Sequence, residues 1–288
     1  MQLYIYAKSG HAFGLENVRR ASALCNLLKT SDPILCTADY RAATFAKQCL
    51  DVSKGVGIDI IGNLPNVMER GDMLIYDDSA EASETMTSHM KEFCNQLYKV
   101  GTDIPFEITD ERFVSGSEIK HEKVIFFSDD DYANWFFDLV TKGTKKDFPL
   151  LWGHYLFFKN EDKFAEFFSE IIEDEEYIDT IKSTKFLLTS SVNACIESAK
   201  CGNHPVYFKR LDKDELENLD LLEKYNIPMI NLEKVESLDD ITEQFEIIIQ
   251  NYPELKEIET FDITDIKNNI DKTLKLFEAI QPSLDYKF

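Results

Sequence analysis

Residues 185 to 208 read Lys-Phe-Leu-Leu-Thr-Ser-Ser-Val-Asn-Ala-Cys-Ile-Glu-Ser-Ala-Lys-Cys-Gly-Asn-His-Pro-Val-Tyr-Phe, and their order leaves few folds open. The apolar run Phe186 to Leu188 predicts a short strand, ended by the polar turn Thr189-Ser190-Ser191. A helix follows up to a stop at Gly202, and Pro205 announces a second strand, Val206 to Phe208. A strand, helix and strand in this order form a β-α-β unit, which belongs in a parallel sheet. The turn offers hydroxyls and backbone N–H groups at a helix N-terminus, so Ser190, Ser191 and Asn193 suit a phosphate or another anion. Ser and Asn are also the preferred capping residues, and both roles stay open.

The same alternation runs through the rest of the chain. Strand 2–7 leads through the loop Ser9-Gly-His-Ala-Phe-Gly14 into a helix from about 15 to 29, with Val18, Ala21, Leu24, Cys25 and Leu28 at helical spacing. Further strands are expected at 33–36, 58–61 and 73–76, with helices at 39–50 and about 81–98. A polar passage, 109–122, interrupts the pattern and reads as a linker. Alternation resumes with strand 124–127, helix 132–142, a strand region at 150–158 and helices at 160–172 and 175–183. Beyond the unit at 185–208 come helix 213–224, strand 228–231 and helix 238–250. A last amphipathic helix, about 264–280, carries Ile266, Ile270, Leu274 and Phe277 on one face. Short strands alternating with helices predict parallel sheets covered on both faces. The expected domains are 1–115 and 122–262, both Rossmann-like, followed by a C-terminal helix and tail at 263–288.

Charge narrows the partners. With 53 acidic against 31 basic residues the formal net charge is −22, a field that repels nucleic acid and anionic membranes. A small phosphorylated ligand stays open, because a local turn or an Arg pair can act against the global field. No apolar run reaches the roughly 18–20 residues that span a bilayer. The N-terminus lacks the basic and apolar segments of a signal peptide. Six cysteines without close pairing suggest neither a zinc site nor a disulfide framework. The expectation is a cytoplasmic protein with reduced thiols.

Two segments carry a family resemblance. Strand, Ser/Gly turn, helix with a mid-helix acid (Glu197), Gly, Pro, strand resembles the nucleotide-binding unit of GT-B-type glycosyltransferases and relatives such as the UDP-sugar hydrolase of pseudaminic acid biosynthesis. The loop Gly10-His11-Ala-Phe-Gly14-Leu-Glu16-Asn17-Val-Arg19-Arg20 is similar to the Gly-X-Gly-His-X-X-Arg motif of those proteins. Its register differs: the residue three before Arg20 is Asn17, and the one three before Arg19 is Glu16. The resemblance implies an α/β fold of two Rossmann-like domains facing a central cleft. It further implies a nucleotide-sugar ligand, glycosyl transfer or hydrolysis, and a ribose-binding role for Glu197. A non-catalytic binding or scaffold protein of the same fold is the alternative.

Within that frame His11, Glu16 and Asp77 are the candidate catalytic residues. His11 or Glu16 would act on a proton of water or an acceptor hydroxyl, whereas Asp77, with Asp78, ends a parallel strand where α/β proteins place ligands. Gly10, Gly14, Arg19, Arg20, Ser190, Ser191, Asn193, Glu197 and Lys209 are the candidate binding residues. Two adjacent arginines on a helix predict one side chain turned inward and the other to solvent. Two further features depart from the family. The family's Gly-rich loop is here Ser128-Asp129-Asp130-Asp131, and its Asn-Gln pair is replaced by Lys209-Arg210. No cofactor is expected unless Asp129–Asp131 recruit a divalent cation; the acids serve equally as caps for helix 132–142. Other roles for the marked residues are structural: a turn for Gly10 and Gly14, a solvated loop position for His11, and a turn-forming or capping role for Asp77.

Overall fold

The computed structural model describes residues 1–77, 83–213 and 218–284, with side chains through residue 279. The chain forms two compact units. The first comprises Met1–Gly10, Asn17–Asp110 and the residues from Thr260; the second comprises His11–Glu16 and Glu111–Glu259.

In the first unit β1 (Leu3–Ala7), β2 (Ile34–Thr37), β3 (Gly55–Gly57), β4 (Met73–Asp77) and β5 (Gln96–Lys99) form one parallel sheet in the order β3-β2-β1-β4-β5. The central strands β1 and β4 are buried along their whole length, as strands covered on both faces must be. Helices α1 (Glu16–Leu27), α2 (Tyr40–Cys49) and α3 (Glu84–Phe93) follow β1, β2 and β4. Asp39 caps α2 by accepting from the Ala42 N–H at 3.0 Å, and Ser83 caps α3 in the same way. The third strand lies at 55–57, not at 58–61: residues 61–66 coil into a 3-10 helix that contains Pro65. Helix 81–98 is shorter than expected, since the chain turns at Cys94 and becomes the edge strand β5.

The second unit places β6 (His121–Phe126), β7 (Leu150–Leu151), β8 (Ile171–Ile172), β9 (Thr184–Thr189), β10 (His204–Phe208) and β11 (Met229–Ile230) in one parallel sheet, order β11-β10-β9-β6-β7-β8. Counted from its own first strand this order is 6-5-4-1-2-3, and that of the first unit is 3-2-1-4-5. Both are the doubly wound Rossmann order, with the direction of winding reversing between β1 and β4 and between β6 and β9. Helices α4 (Trp135–Lys142), α5 (Glu161–Phe167), α6 (Tyr177–Ser183), α7 (Val192–Lys200), α8 (Asp220–Lys224) and α9 (Leu238–Gln250) complete this unit. Phe127, Phe136, Phe164, Phe168 and Phe208 sit at the heart of its core, with Phe127 and Phe136 stacked at 4.4 Å.

The polar passage at 109–122 is a linker in composition only. From Glu111 onward it joins the second unit, because Phe113 is apolar and buries itself beside Tyr177 and Leu187. The expected strand 150–158 ends at Leu151, since Gly153 packs against the Ser128 carbonyl. Helix 160–172 ends at Phe167, and Ile171–Ile172 become a strand beside β7. Helix 213–224 is described only as Asp220–Lys224.

The final helix, α10 (Thr264–Leu284), is grouped with the first unit. Asp271 accepts from the Ser31 hydroxyl at 2.9 Å, and Gln96 donates to the Thr273 hydroxyl at 2.7 Å. Ile266 and Ile270 on its apolar face are buried, whereas Phe277 is exposed. All six cysteines are free thiols. Among the described residues no helix is long and apolar enough to cross a membrane.

Candidate functional site

In a doubly wound sheet, ligands bind beyond the C-terminal strand ends where the winding reverses, because the two flanking loops part there. In the first unit that point lies between β1 and β4, and it holds a closed polar cluster. Arg20, on α1, donates from Nε to Asp77 Oδ2 at 2.8 Å and from Nη2 to Asp77 Oδ1 at 3.2 Å. Its Nη2 also reaches Asn17 Oδ1 at 2.6 Å, and the guanidinium lies 5.4 Å from the centre of the Phe106 ring. Asn17 in turn donates to the Asp77 carbonyl. Arg19 does not turn to solvent: both arginines are buried, so the expectation of one inward and one outward side chain fails. Arg20 is accommodated there by the bidentate Asp77 carboxylate. Asp77 is thus held by Arg20 and Asn17; Asp78 lies outside the described residues.

The second unit is richer. Its reversal point lies between β6 and β9, and five segments contribute. Ser190 ties the two strand ends together: its N–H and its hydroxyl both donate to the Phe127 carbonyl, at 2.9 and 2.5 Å. Ser191 is the N-cap of α7, accepting from the Ala194 N–H at 3.0 Å. Both serine hydroxyls therefore serve the protein's own backbone. Asn193, in the first turn of α7, is buried, and among the described residues neither its amide nitrogen nor its amide oxygen has a hydrogen-bond partner. A buried amide without partners costs free energy on the order of 1–3 kcal/mol in proteins. Glu197, a turn further on, is also buried and accepts from the Tyr177 hydroxyl at 2.6 Å.

The acidic turn after β6 is fully engaged. Asp129 accepts from the Leu15 N–H at 3.1 Å. Asp131 caps α4, taking the Phe136 and Phe137 N–H groups on its two oxygens at 3.0 Å each. Burial nevertheless pushes its carboxyl above the ordinary range. Asp130 accepts from the Ser128 hydroxyl at 2.8 Å, and pairs with Arg210 at 3.2 Å and with Lys213 at 3.1 Å. Each carboxylate thus points to a different protein partner. Among the described residues, the group whose acidic oxygens come within 4.8 Å of one another is Glu173, Asp174 and Glu175, not Asp129–Asp131.

Arg210 is the hub of this region. It is 3 % exposed, donates from Nε and Nη2 to Asp212, from Nη1 to Ser128 and Asp130, and sits 4.4 Å from the Phe127 ring centre. Burial opposes its charge, but Asp212, Asp130 and Asp131 outweigh that and raise its pKa. Lys209, just before it at the end of β10, is half-buried, and its backbone N–H bonds to the Ile230 carbonyl.

Residues His11–Glu16 complete the second unit. Gly14 adopts a left-handed φ of +74°, and a side chain there would meet Asp129 Cβ at 3.2 Å, so glycine serves both the turn and the close approach. Lys213 reaches the Ala12 carbonyl at 3.4 Å. The His11 imidazole is exposed and lies 5.0 Å from the Tyr155 ring and 6.0 Å from that of Phe157, nearly parallel to the latter. Glu16 opens α1, and its charge helps raise the pKa of Cys195 and of Tyr207 after the larger effect of burial. Gly10, whose φ is +129°, is counted with the first unit.

Sequence reading marked most of these positions but missed the pairing of Arg210 with Asp130 and of Tyr177 with Glu197. The surplus of acid in the turn is the one trace of the first pairing in the sequence, and nothing local signals the second.

No protein-family model and no curated protein matches the chain. Solved structures similar to it include the heptosyltransferase WaaC of E. coli with ADP, at 9 % identity and TM-score 0.46, covering 87 % of this chain and 98 % of that one. Anabaena HepE in complex with UDP aligns at 10 % identity and TM-score 0.44, over 87 % of this chain and 91 % of HepE. A glycosyltransferase from Rickettsia africae aligns at 8 % identity and TM-score 0.46, over 86 % and 88 %. Strand order makes both units Rossmann-like.

Proposed function

We propose that this protein handles a nucleotide-activated sugar, transferring its glycosyl group or hydrolysing it. The observation that carries this reading is the α7 corner. At the winding reversal of a Rossmann-like sheet, a helix N-terminus stands beside a buried Asn193 amide that has no partner among the described residues. The α7 N–H groups and Asn193 would hold the phosphates, and Lys209 would add charge. In hydrolysis, water attacks the anomeric carbon and the carbon–oxygen bond to the nucleotide breaks. His11 or Glu16 takes the proton from water, or from an acceptor hydroxyl in transfer. The fold resemblance to GT-B proteins and the ADP and UDP bound to two similar structures agree with this reading without naming the sugar. Hydrolysis of the kind found in pseudaminic acid biosynthesis is the finer form of the proposal.

A non-catalytic binding protein of the same fold is the second reading. It is favoured by the acidic turn 129–131, where a family member would carry glycines. Calorimetry and product analysis with a panel of UDP- and ADP-sugars, with and without Mg²⁺, separates the two. Turnover supports the enzyme, binding without product supports the second reading, and neither binding nor product removes both.

A further inference from the structure

We propose that Asp130 occupies, from within the chain, the cationic pair Arg210–Lys213, and that a phosphate-bearing ligand engages this pair only by displacing that carboxylate. The inference rests on the nucleotide-sugar reading for the kind of ligand, but not for the contact itself. Three observations lead to it. Asp130 and Arg210 are both buried, so their pairing is built into the unit and is not a surface accident. The pair lies on loops that follow β6 and β10, at the C-terminal strand ends beside the reversal between β6 and β9. The local balance is negative: Asp129, Asp130, Asp131 and Asp212 stand against Arg210 and Lys213, four acids to two bases.

The two cations differ in availability. Every nitrogen of the Arg210 guanidinium already donates to Asp212, Asp130 or Ser128. Lys213 is about one-third exposed and bridges Asp130 and the Ala12 carbonyl. An incoming phosphate therefore meets Lys213 first and competes with Asp130 for Arg210. A carboxylate at this position makes the site discriminate against polyphosphates, where a glycine loop would welcome them. Asp130 is a specificity-determining residue, and removing its charge converts a self-occupied pair into an anion site.

Inorganic pyrophosphate is the probe, read by calorimetry on the full chain at fixed ionic strength. Asp130→Asn keeps the shape and removes the charge; pyrophosphate affinity is expected to rise at least tenfold over the wild type. Lys213→Ala in the Asp130→Asn background should abolish that gain. Unchanged or weaker pyrophosphate binding by a folded Asp130→Asn protein overturns the proposal. Should Asp130→Asn fail to fold, Lys213→Glu tests the same point, because it should weaken pyrophosphate binding below the wild type; no change there overturns it equally. Failure of the nucleotide-sugar reading shows differently, as absence of binding and product across the sugar-nucleotide panel whatever pyrophosphate does.

Discussion

Arg20 on α1 and Asp77 at the end of β4 form a bidentate ion pair at 2.8 and 3.2 Å, with both side chains 3 % exposed. A pair so enclosed is costly to leave half made, because the surviving charge stays buried without its counterpart. Asp77→Ala is expected to lower stability by about 3–5 kcal/mol. Replacing both residues with apolar ones of similar volume should cost much less than the sum of the single changes. Urea denaturation of the two single variants and the double variant completes the cycle. Additive losses would mean that the pair has no special coupling.

Gly153 has no room for a side chain. A Cβ there would lie 2.1 Å from the Ser128 carbonyl oxygen and 2.9 Å from Asp129 Cα, both backbone. Gly153→Ala must push the 128–131 turn away, at a cost of about 1–3 kcal/mol or more, the range for overpacking. Thermal denaturation measures it. A variant as stable as the wild type would show that the turn yields freely.

Asp131 has a carboxyl pKa raised by burial, its largest effect, despite the two α4 N–H groups it accepts. A raised folded-state value means the native state holds the proton more tightly than the unfolded chain does. The stability this adds is full below the ordinary value of 3.8 and is lost as pH rises through the raised one. Asp131→Asn has no such titration. The stability of the wild type relative to Asp131→Asn should therefore fall as pH climbs from about 3 towards neutrality. Urea midpoints across that series test it, and a difference that grows with pH would contradict the assignment.

The exposed His11 imidazole lies 5.0 Å from the Tyr155 ring and 6.0 Å from that of Phe157. If it performs the proton transfer, His11→Ala should lower turnover of a nucleotide-sugar substrate about 10²–10⁴-fold while changing affinity little. Steady-state kinetics beside calorimetry reads the split. Loss of affinity with turnover intact would assign His11 to binding instead.

Tyr177 and Glu197 make a buried hydrogen bond of 2.6 Å. Tyr177→Phe keeps the ring in the core and removes one donor from a buried carboxyl, so stability should drop by about 1–3 kcal/mol. Chemical denaturation checks this, and an unchanged midpoint would mean that the carboxyl is satisfied elsewhere.

Much of the fold was legible because helix and strand periods are local properties. The β-α-β order at 185–208 appears as β9, α7 and β10, and α9 spans Leu238–Gln250 as its apolar spacing requires. Ser191 could be read as a cap because a cap bonds to its own helix. The edge strands β5 and β8 were not legible: Gln96–Lys99 and Ile171–Ile172 are too short to show a period, and only pairing with a neighbour makes them strands. For the same reason the sequence alone set the alternation of elements and left the candidate site half drawn. Arg20 with Asp77, Tyr177 with Glu197, and Asp130 with Arg210 lie 57, 20 and 80 positions apart. Only the tertiary structure could decide that these charges and hydroxyls meet. A buried ion pair is selected by the loss of solvent around both partners at once, and that loss exists only when the sheet has brought them together.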